Sequence, residues 1–415
     1  MCQDQDDIFE PYSDNLELLA EKISDVLGRP VTIEDANHRL VAYSSHEPET
    51  DAARLATIVG RRVPDQIIGS LWRDGVMPRL LESEAPIRVA PIQEVGLSGR
   101  VATAIRSGSR VVGFIWVLEA EKPFSDQEMA LVAKAAQAAR TKMARWQLQR
   151  HKEEEAHRDF FWQLLTGHLS NETLIRDKAQ RIGITLPPQF HVVVLQFAAE
   201  VKESWQQQAL ERCAPLSANS RIVLRAINKN QLILLFAPLT SDTMDGVTSQ
   251  LGLLQQNLRT FFSPHFLGLA SGCLYSEYGR LEDSYREALL LLEVKQRFPK
   301  ETGDHVMYGD LGYYRYLPRI WEELQQHGGA GSQLARLRAY DQEHHSELVH
   351  TLEVFLAHDS NAKTAAEALH VHANTLNYRL KRIAEIGRID LTSMEQKVTL
   401  YLELKAERFG GRNAL

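Results

Sequence analysis

The stretch VHANTLNYRLKRI, residues 371–383, decides how the C-terminal part of this chain folds. At 100° per residue its apolar side chains Leu376, Leu380 and Ile383 fall within one arc, which predicts a helix with one face packed in a core. A short helical stretch, NAKTAAEAL at 361–369, precedes it, and its alanine stripe lets another helix approach closely. Two helices this close in sequence are typical of a helix-turn-helix, whose second helix enters the DNA major groove.

The opposite side of this second helix carries polar groups. Hydroxyl, amide and phenol groups suit base edges or phosphate oxygens, and Lys381 and Arg382 suit phosphates. An amphipathic helix with a solvated face is the alternative, but a local excess of basic residues favours DNA. Arg379 lies beside the core arc, where it either contacts DNA or pairs with a carboxylate. The predicted DNA-binding residues are Lys363, His372, Ala373, Asn374, Thr375, Asn377, Tyr378, Arg379, Lys381 and Arg382.

Length, charge and cysteine content limit the class of protein. A chain of 415 residues is too long for one ordinary core and predicts several domains. The net charge of −7 argues against a surface coated with basic residues, so a nucleic-acid site has to be local. The acidic first residues predict no leader peptide, and no apolar run approaches the roughly 20 residues that cross a bilayer. Cys2, Cys213 and Cys273 have no paired spacing, which predicts a cytoplasmic protein without disulfides.

The N-terminal third alternates between helix and strand patterns. A helix over 13–27, two strands around the turn at 35–38 and two more around 107–109 predict an α+β module with a mostly antiparallel sheet. Residues 126 to about 165 contain neither Gly nor Pro and predict one long helix. This helix is either a solvated connector or a dimer-forming signalling helix.

A second α+β module follows the LPPQ break at 186–189. A buried strand and a hairpin around 228–230 indicate its sheet. The Gly-rich stretch HGGAGS at 327–332 predicts a flexible boundary, beyond which all patterns are helical. Ser393 and Gln396 fit a capping box at the start of the final helix.

The C-terminal sequence LVHTLEVFLAHDSNAKTAAEALHVHANTLNYRLKRIAEI, residues 348–386, resembles the C-terminal domain of the PucR/CdaR family of bacterial transcriptional regulators, whose helix-turn-helix is similar to that of Fis. Residues 190–317, ending in YGDLGYYRYL, resemble that family's degenerate GGDEF-like domain, and residues 13–148 resemble a GAF-type sensor. The resemblance implies a multidomain α+β chain. The predicted domains are a GAF-like α+β sensor at 1–124, a connector or dimerisation helix at 125–168, a degenerate GGDEF-like α+β domain at 169–325 and an all-α helix-turn-helix DNA-binding domain at 333–415.

The chain departs from the family pattern in its second helix. Family members often carry Arg at the positions of Ala373 and Asn377, so that HRNTLRYRL stands where this chain has HANTLNYRL. Loss of two potential phosphate or guanine contacts predicts an altered operator preference or weaker binding by the isolated domain.

The resemblance of the middle domain to a nucleotidyl cyclase raises an enzymatic alternative. Such an enzyme needs metal-binding carboxylates at the end of its first strand and a glycine-rich acidic hairpin. Here the strand ends Gln-Phe-Ala-Ala at 196–199, and the hairpin reads Ile-Asn-Lys-Asn-Gln at 227–231. The sequence therefore predicts no catalytic residues, no enzyme activity and no cofactor.

Two histidine clusters invite a metal hypothesis, at His344, His345 and His350 and at His370 and His372. Neighbouring histidines without further ligands at useful spacing are more often surface or capping residues. The prediction is that no metal binds here.

The sensor is expected to enclose a small molecule between sheet and helices, as the resemblance to a GAF-type module implies. The candidate ligand-binding residues are polar or aromatic: Tyr43, Trp72, Arg100, Arg106 and Trp116. Each has a structural alternative, since Trp116 suits a core and Arg100 and Arg106 suit exposed strand ends.

These patterns predict a cytoplasmic, DNA-binding transcriptional regulator that forms a homodimer or higher homo-oligomer and binds a two-fold operator and no membrane. The family resemblance implies an effector-responsive activator of a catabolic operon for a small nitrogen compound or acid, such as an amino acid, purine or diacid. The alternatives are a protein-interaction scaffold whose sensor binds nothing and an architectural DNA-binding protein.

Overall fold

The computed structural model describes residues 8–45, 51–119, 122–213, 220–238, 244–327 and 332–411. Cys2 and most of the Gly-rich stretch at 327–332 lie outside the described residues. The chain divides into two compact units, Met1–Glu155 and Ala156–Leu415, which are described separately. Each described helix is either too short or too polar to span a bilayer.

The first unit is built on a five-stranded antiparallel sheet with the order β2-β1-β5-β4-β3. Its strands are β1 (Val31–Asp35), β2 (Leu40–Tyr43), β3 (Ile87–Val89), β4 (Arg100–Ser107) and β5 (Arg110–Leu118). Its helices are α1 (Leu16–Leu27), α2 (Ala52–Gly60), α3 (Asp65–Arg73), α4 (Val76–Glu82) and the first part of α5 (Asp126–Leu165).

Local signals define the ends of α1. The Asn15 carboxamide accepts hydrogen bonds from the backbone N–H groups of Glu17 and Leu18, and Gly28 ends the helix with φ of 64°. The predicted helix at 13–27 is therefore confirmed, except that it begins at Leu16. The predicted strand pairs around 35–38 and 107–109 are also confirmed.

The sheet of the first unit separates two apolar cores. On one face, α1 and α5 cover the sheet, with Ile23, Ala135 and Met143 fully buried. On the other face, α2, α3 and α4 pack over Phe114 and Trp116. Sequence reasoning left these three helices out, although the second core contains the cavity described below.

The predicted long helix is confirmed as α5, and the division between the two units falls within it. Its N-terminal half packs in the first unit. Its last turns bury Phe160, Phe161 and Leu164 in the second unit. Between them Leu148 is 57% exposed, and the acidic run at 153–155 is exposed. Its role in dimerisation stays a prediction.

The middle part of the second unit is a four-stranded antiparallel sheet with the order β7-β8-β6-β9. The strands are β6 (His191–Phe197), β7 (Ser220–Asn228), β8 (Gln231–Pro238) and β9 (Phe266–Ser271). The helices are α6 (Glu172–Arg181), α7 (Glu203–Cys213), α8 (Met244–Phe261), α9 (Leu281–Arg297), α10 (Pro299–Thr302) and α11 (Leu317–His327). The end of α5, α6 and α9 cover one face of the sheet, and α7 and α8 cover the other.

The C-terminal part of the second unit is helical, as predicted. Its helices are α12 (Gln333–His344), α13 (Leu348–Ala357), α14 (Ala362–Ala368), α15 (Ala373–Gly387) and α16 (Met394–Phe409). Only half of the predicted capping box forms. The Ser393 hydroxyl caps α16 by accepting from the backbone N–H of Gln396, whereas the Gln396 side chain accepts from the backbone N–H of Asp390 instead of that of Ser393. At its far end, α16 buries Ala406 and Phe409 in the core of the middle part.

Candidate DNA-binding site

Helices α14 and α15 form the predicted helix-turn-helix. Asn361 caps α14 by accepting from the backbone N–H of Lys363 at 2.9 Å. His370 takes a left-handed conformation between the helices, with φ of 54°. Ala365 and Ala366 are buried against Leu376, which is fully buried. Small side chains on α14 thus bring α15 close and fix its orientation.

The start of α15 is held by an unusual cap. Nδ1 of His372 accepts a hydrogen bond of 3.2 Å from the backbone N–H of Asn374. This contact gives His372 a structural role in addition to the predicted DNA contact. It also makes the N-terminal turn of α15, where recognition helices contact base edges, an ordered element.

The predicted polar face of α15 is open to solvent. Tyr378 is 65% exposed, and the other exposed residues of this face surround it. Eight of the ten predicted DNA-binding residues are exposed: Lys363, His372, Ala373, Asn374, Thr375, Asn377, Tyr378 and Lys381.

The two arginines of the predicted set have partners within the protein. Arg379 donates to the Thr351 hydroxyl at 3.1 Å, and its guanidinium lies 3.6 Å from the Glu347 carboxylate. Arg382 donates to the Tyr340 hydroxyl at 2.6 Å and stacks near that ring. Of the two alternatives for Arg379, contact with DNA or pairing with a carboxylate, this structure shows the pairing. Both guanidiniums brace α15 against α12 and α13.

Leu380 differs from the prediction that places it in a core with Leu376 and Ile383. Those two side chains are fully buried, whereas Leu380 is only half-buried and bridges the two apolar clusters of the C-terminal helices. The helical arc is right, but its edge reaches the surface at this position.

The end of β6 and the β7–β8 hairpin lack the acidic groups that cyclase chemistry needs. Asn230 of the hairpin donates to the carbonyl of Phe197 at 2.7 Å, and Val201 donates to that of Lys229 at 2.9 Å. The hairpin tip thus binds the strand end through amide and backbone groups. Across the described residues, no three His, Cys, Asp or Glu side chains are arranged to hold a metal ion.

The first unit has a small cavity with a mixed polar and apolar lining between the sheet and helices α2 and α3. Its volume is about 10 Å³, room for roughly one water molecule. The residues that line it are Thr32, Glu34, Ala53, Arg54, Thr57, Val63, Ile67, Leu71, Leu97, Arg100 and Trp116.

Three charged side chains in this lining are nearly inaccessible to solvent. Glu34 is 3% exposed, Arg54 is 4% exposed and Arg100 is 8% exposed. The Trp116 indole donates to Glu34 at 3.0 Å, and burial raises the pKa of this carboxyl. Arg100 pairs with Asp51, whereas burial lowers its pKa. Burial of charges of both signs is costly, which marks the cavity as a functional-site candidate.

Two of the five predicted ligand-binding residues line this cavity, Arg100 and Trp116. The exposed-strand-end alternative is wrong for Arg100, because the residue is buried. The other three lie outside the lining: Trp72 is 50% exposed, Arg106 donates to the Ser83 carbonyl at 3.3 Å, and Tyr43 pairs in the sheet with Thr32. Sequence reasoning missed the most deeply buried charges of the cavity, those of Glu34 and Arg54. A signal was available for Glu34, a carboxylate within the short apolar strand pattern of β1.

Two parts of the second unit match known domain families. Residues 348–406 match the PucR C-terminal helix-turn-helix domain, and residues 166–294 match a GGDEF-like domain. The chain is 40% identical to the DNA-binding transcriptional activator AdeR of Bacillus subtilis (strain 168), over 96% of this chain and 94% of AdeR. It is 29% identical to the proline-responsive transcriptional activator PutR of the same organism, over 95% of this chain and 96% of PutR. The carbohydrate diacid regulator of Escherichia coli (strain K12) is 31% identical over 33% of this chain and 34% of that regulator.

Proposed function

Because the chain belongs to the PucR/CdaR family of transcriptional regulators, a family of DNA-binding proteins, we propose that it is an effector-responsive activator of a catabolic operon for a small nitrogen compound or acid. The observation that carries the DNA-binding part is the exposed polar face of α15, held in place by α12, α13 and α14. The effector part draws on PutR, a proline-responsive activator that is similar over nearly the whole chain.

The parts of the chain divide this work as follows. The first unit, with the GAF-like sensor at 1–124, binds the effector. Helix α5, within the proposed connector at 125–168, pairs two copies so that two helix-turn-helix domains, 333–415 in each, reach a two-fold operator. The GGDEF-like domain at 169–325 is catalytically silent and transmits the state of the sensor. Regulation then requires that the effector favours one arrangement of the dimer over another.

Genomic footprinting of the intact protein in its own host tests this function. We expect one palindromic site upstream of a catabolic operon, with transcription of that operon raised by the compound that the operon degrades. Scattered sites without a shared motif would replace the proposal with an architectural role. A complete absence of DNA occupancy would favour the scaffold instead.

The salt dependence of operator binding distinguishes side chains that contact DNA phosphates from side chains that bind other groups of the protein. Lys381 is exposed on α15, so Lys381→Ala is expected to make the negative slope of log K against log salt shallower by about 0.9, the contribution of one phosphate. Arg382→Ala is expected to change the slope less, because that guanidinium binds Tyr340. Titrations of a fixed operator at several salt concentrations measure both slopes.

The matched control for this experiment is Lys300→Ala, which removes an exposed lysine from α10 in the middle domain. Its slope should equal that of the unaltered protein. An unchanged slope in Lys381→Ala would remove Lys381 from the interface. A full loss of about 0.9 in Arg382→Ala would show that this side chain leaves Tyr340 to bind DNA.

A further inference from the structure

We propose that the cavity of the first unit binds a small apolar α-amino acid as its zwitterion, with the ligand carboxylate at Arg54 and Arg100 and the ligand ammonium at Glu34. This inference rests on the proposed function, because it assigns the chemical class of the effector. It goes further in naming the residues that recognise each end of the ligand.

We place the ligand carboxylate beside Arg54 because of the hydrogen bonds that its guanidinium makes and the one that it lacks. Its two terminal nitrogens donate to the carbonyls of Val31 at 2.8 Å and Ser44 at 2.9 Å. Its Nε is buried and has no hydrogen-bond partner among the described residues. A buried donor without an acceptor is unfavourable, and a ligand carboxylate beside this guanidinium supplies the acceptor.

The two guanidiniums also favour an anion between them. Arg54 and Arg100 line the same cavity, and Asp51 pairs with Arg100. Burial lowers the pKa of Arg54; the charge of Asp51 opposes this shift, and the charge of Arg100 adds to it. Glu34 also acts on Arg100 through its charge, so a ligand carboxylate within the cavity chiefly offsets the charge of Arg54, which among the residues that the structure describes binds only carbonyl oxygens and the Ser44 hydroxyl.

The ammonium end follows from Glu34. Its carboxylate accepts from the Trp116 indole at 3.0 Å and lies 3.4 Å from Nδ1 of His38. Burial raises the pKa of Glu34, while its contacts with His38 lower it. A carboxylate on the cavity wall stabilises a ligand cation, and that cation in turn stabilises the ionised form of Glu34.

The rest of the lining selects the body of the ligand. Val63, Ile67, Leu71 and Leu97 present apolar side chains, which suit a small aliphatic group. A dicarboxylate brings its second negative charge against Glu34, and a neutral purine leaves the buried charges unmatched. Recognition of a zwitterion uses all three features of the cavity.

The present volume of about 10 Å³ makes binding depend on movement of the cavity wall. Even the smallest α-amino acid is larger than the single water that this space holds. Helices α2 and α3 carry Arg54, Thr57, Ile67 and Leu71 of the lining, so an entering ligand has to displace these helices from the sheet. A ligand that binds only when these helices are displaced shifts the sensor toward the displaced state.

Calorimetric titration of the full-length protein tests the ligand class. The probes are L-alanine and L-valine, each compared with its α-hydroxy acid and with the amine that lacks the carboxylate. L-Proline is compared with pyrrolidine alone, and succinate represents dicarboxylates. We expect saturable binding of at least one amino acid, and at least tenfold weaker binding of its hydroxy acid, of its amine and of succinate. Equal binding of an amino acid and its hydroxy acid would overturn the zwitterion assignment.

Glu34→Gln tests the contact with the ligand ammonium separately from the contacts with the ligand carboxylate. We expect the amino acid to lose at least tenfold in affinity and the hydroxy acid to lose nothing. Glu94→Gln is the matched control, because Glu94 forms an exposed pair with Arg73 in the same unit. Thermal unfolding of each variant shows whether it folds. Trp116→Phe removes the donor to Glu34 together with part of a buried ring, and it gives a second test if Glu34→Gln does not fold. In that variant, an unchanged preference for the amino acid over its hydroxy acid counts against the assignment.

Footprinting distinguishes failure of this inference from failure of the proposed function. Operator occupancy or transcription that responds to a diacid or purine, while no amino acid binds, would leave the proposed function intact and overturn the ligand class. An operon that responds to no small molecule would count against both.

Discussion

Leu376→Ala is expected to destabilise the helix-turn-helix by about 2–5 kcal/mol, the range for truncating a fully buried leucine. Leu376 is the fully buried residue of α15 in the cluster with Phe355, Ala365 and Ala366, all of them buried. The two alanines offer little side chain that could move into the space left behind. The cavity therefore persists, and the cost lies above that of the lost methyl groups alone.

Hydrogen exchange of the intact chain measures this loss without separating the domain. At about 1.4 kcal/mol per factor of ten, amides in residues 361–387 should exchange roughly 30-fold to several thousand-fold faster, provided they exchange through opening of this domain. Leu380→Ala is the comparison, and its effect should be smaller because Leu380 is half-buried. Tyr378→Ala is the matched exposed control, with little change expected. A larger effect of Leu380→Ala than of Leu376→Ala would contradict the observed register of α15.

The helix-turn-helix could be predicted because its signals are local. Apolar spacing, the alanine stripe and a short connection are properties of neighbouring residues, and they placed both helices and the buried positions of Leu376 and Ile383. The partners of Arg379 and Arg382 were harder to predict. Thr351 and Tyr340 lie on other helices, so the contacts depend on how α12 and α13 pack against α15.

The cavity of the first unit shows where a single sequence stops being informative. Arg100 and Trp116 were found because polar and aromatic residues on a strand attract notice. Arg54 lies on α2, a helix that was not predicted, and it reaches the cavity only because α2 packs over the sheet. Trp72 and Arg106 have the same residue types as the true lining, but tertiary packing directs them elsewhere.

The attachment of the DNA-binding helices to the middle domain was not visible in the sequence either. Tyr313 and Tyr401 join the two parts through their hydroxyls at 3.1 Å, and Glu301 lies 3.2 Å from Arg408. Together with buried Phe409, these contacts hold the C-terminal half of α16 on the middle domain. Anything that loosens α16 is therefore expected to loosen the helix-turn-helix from the middle domain.

Arg338→Met is expected to produce such loosening, at a cost of about 3 kcal/mol. Arg338 of α12 binds both carboxylate oxygens of Glu407 on α16, and the Glu407 side chain is only 10% exposed. Removal of one partner of a buried pair costs about 3–5 kcal/mol, because the other charge stays buried; the 35% exposure of Arg338 places this pair at the lower end. Nearby Glu403 adds to the effect: burial and the charge of Glu407 raise its pKa, and Arg338 opposes that shift.

The double variant Arg338→Met with Glu407→Leu distinguishes two causes of this loss of stability, an unpaired buried charge on Glu407 and the lost packing of the Arg338 side chain. An apolar pair of similar volume is close to neutral where an ion pair was buried, so the double variant should regain most of the stability that Arg338→Met loses. Hydrogen exchange of residues 394–409 and thermal unfolding of the intact chain measure both variants. If the double variant is as unstable as Arg338→Met, packing of the arginine stem rather than its charge holds α12 to α16.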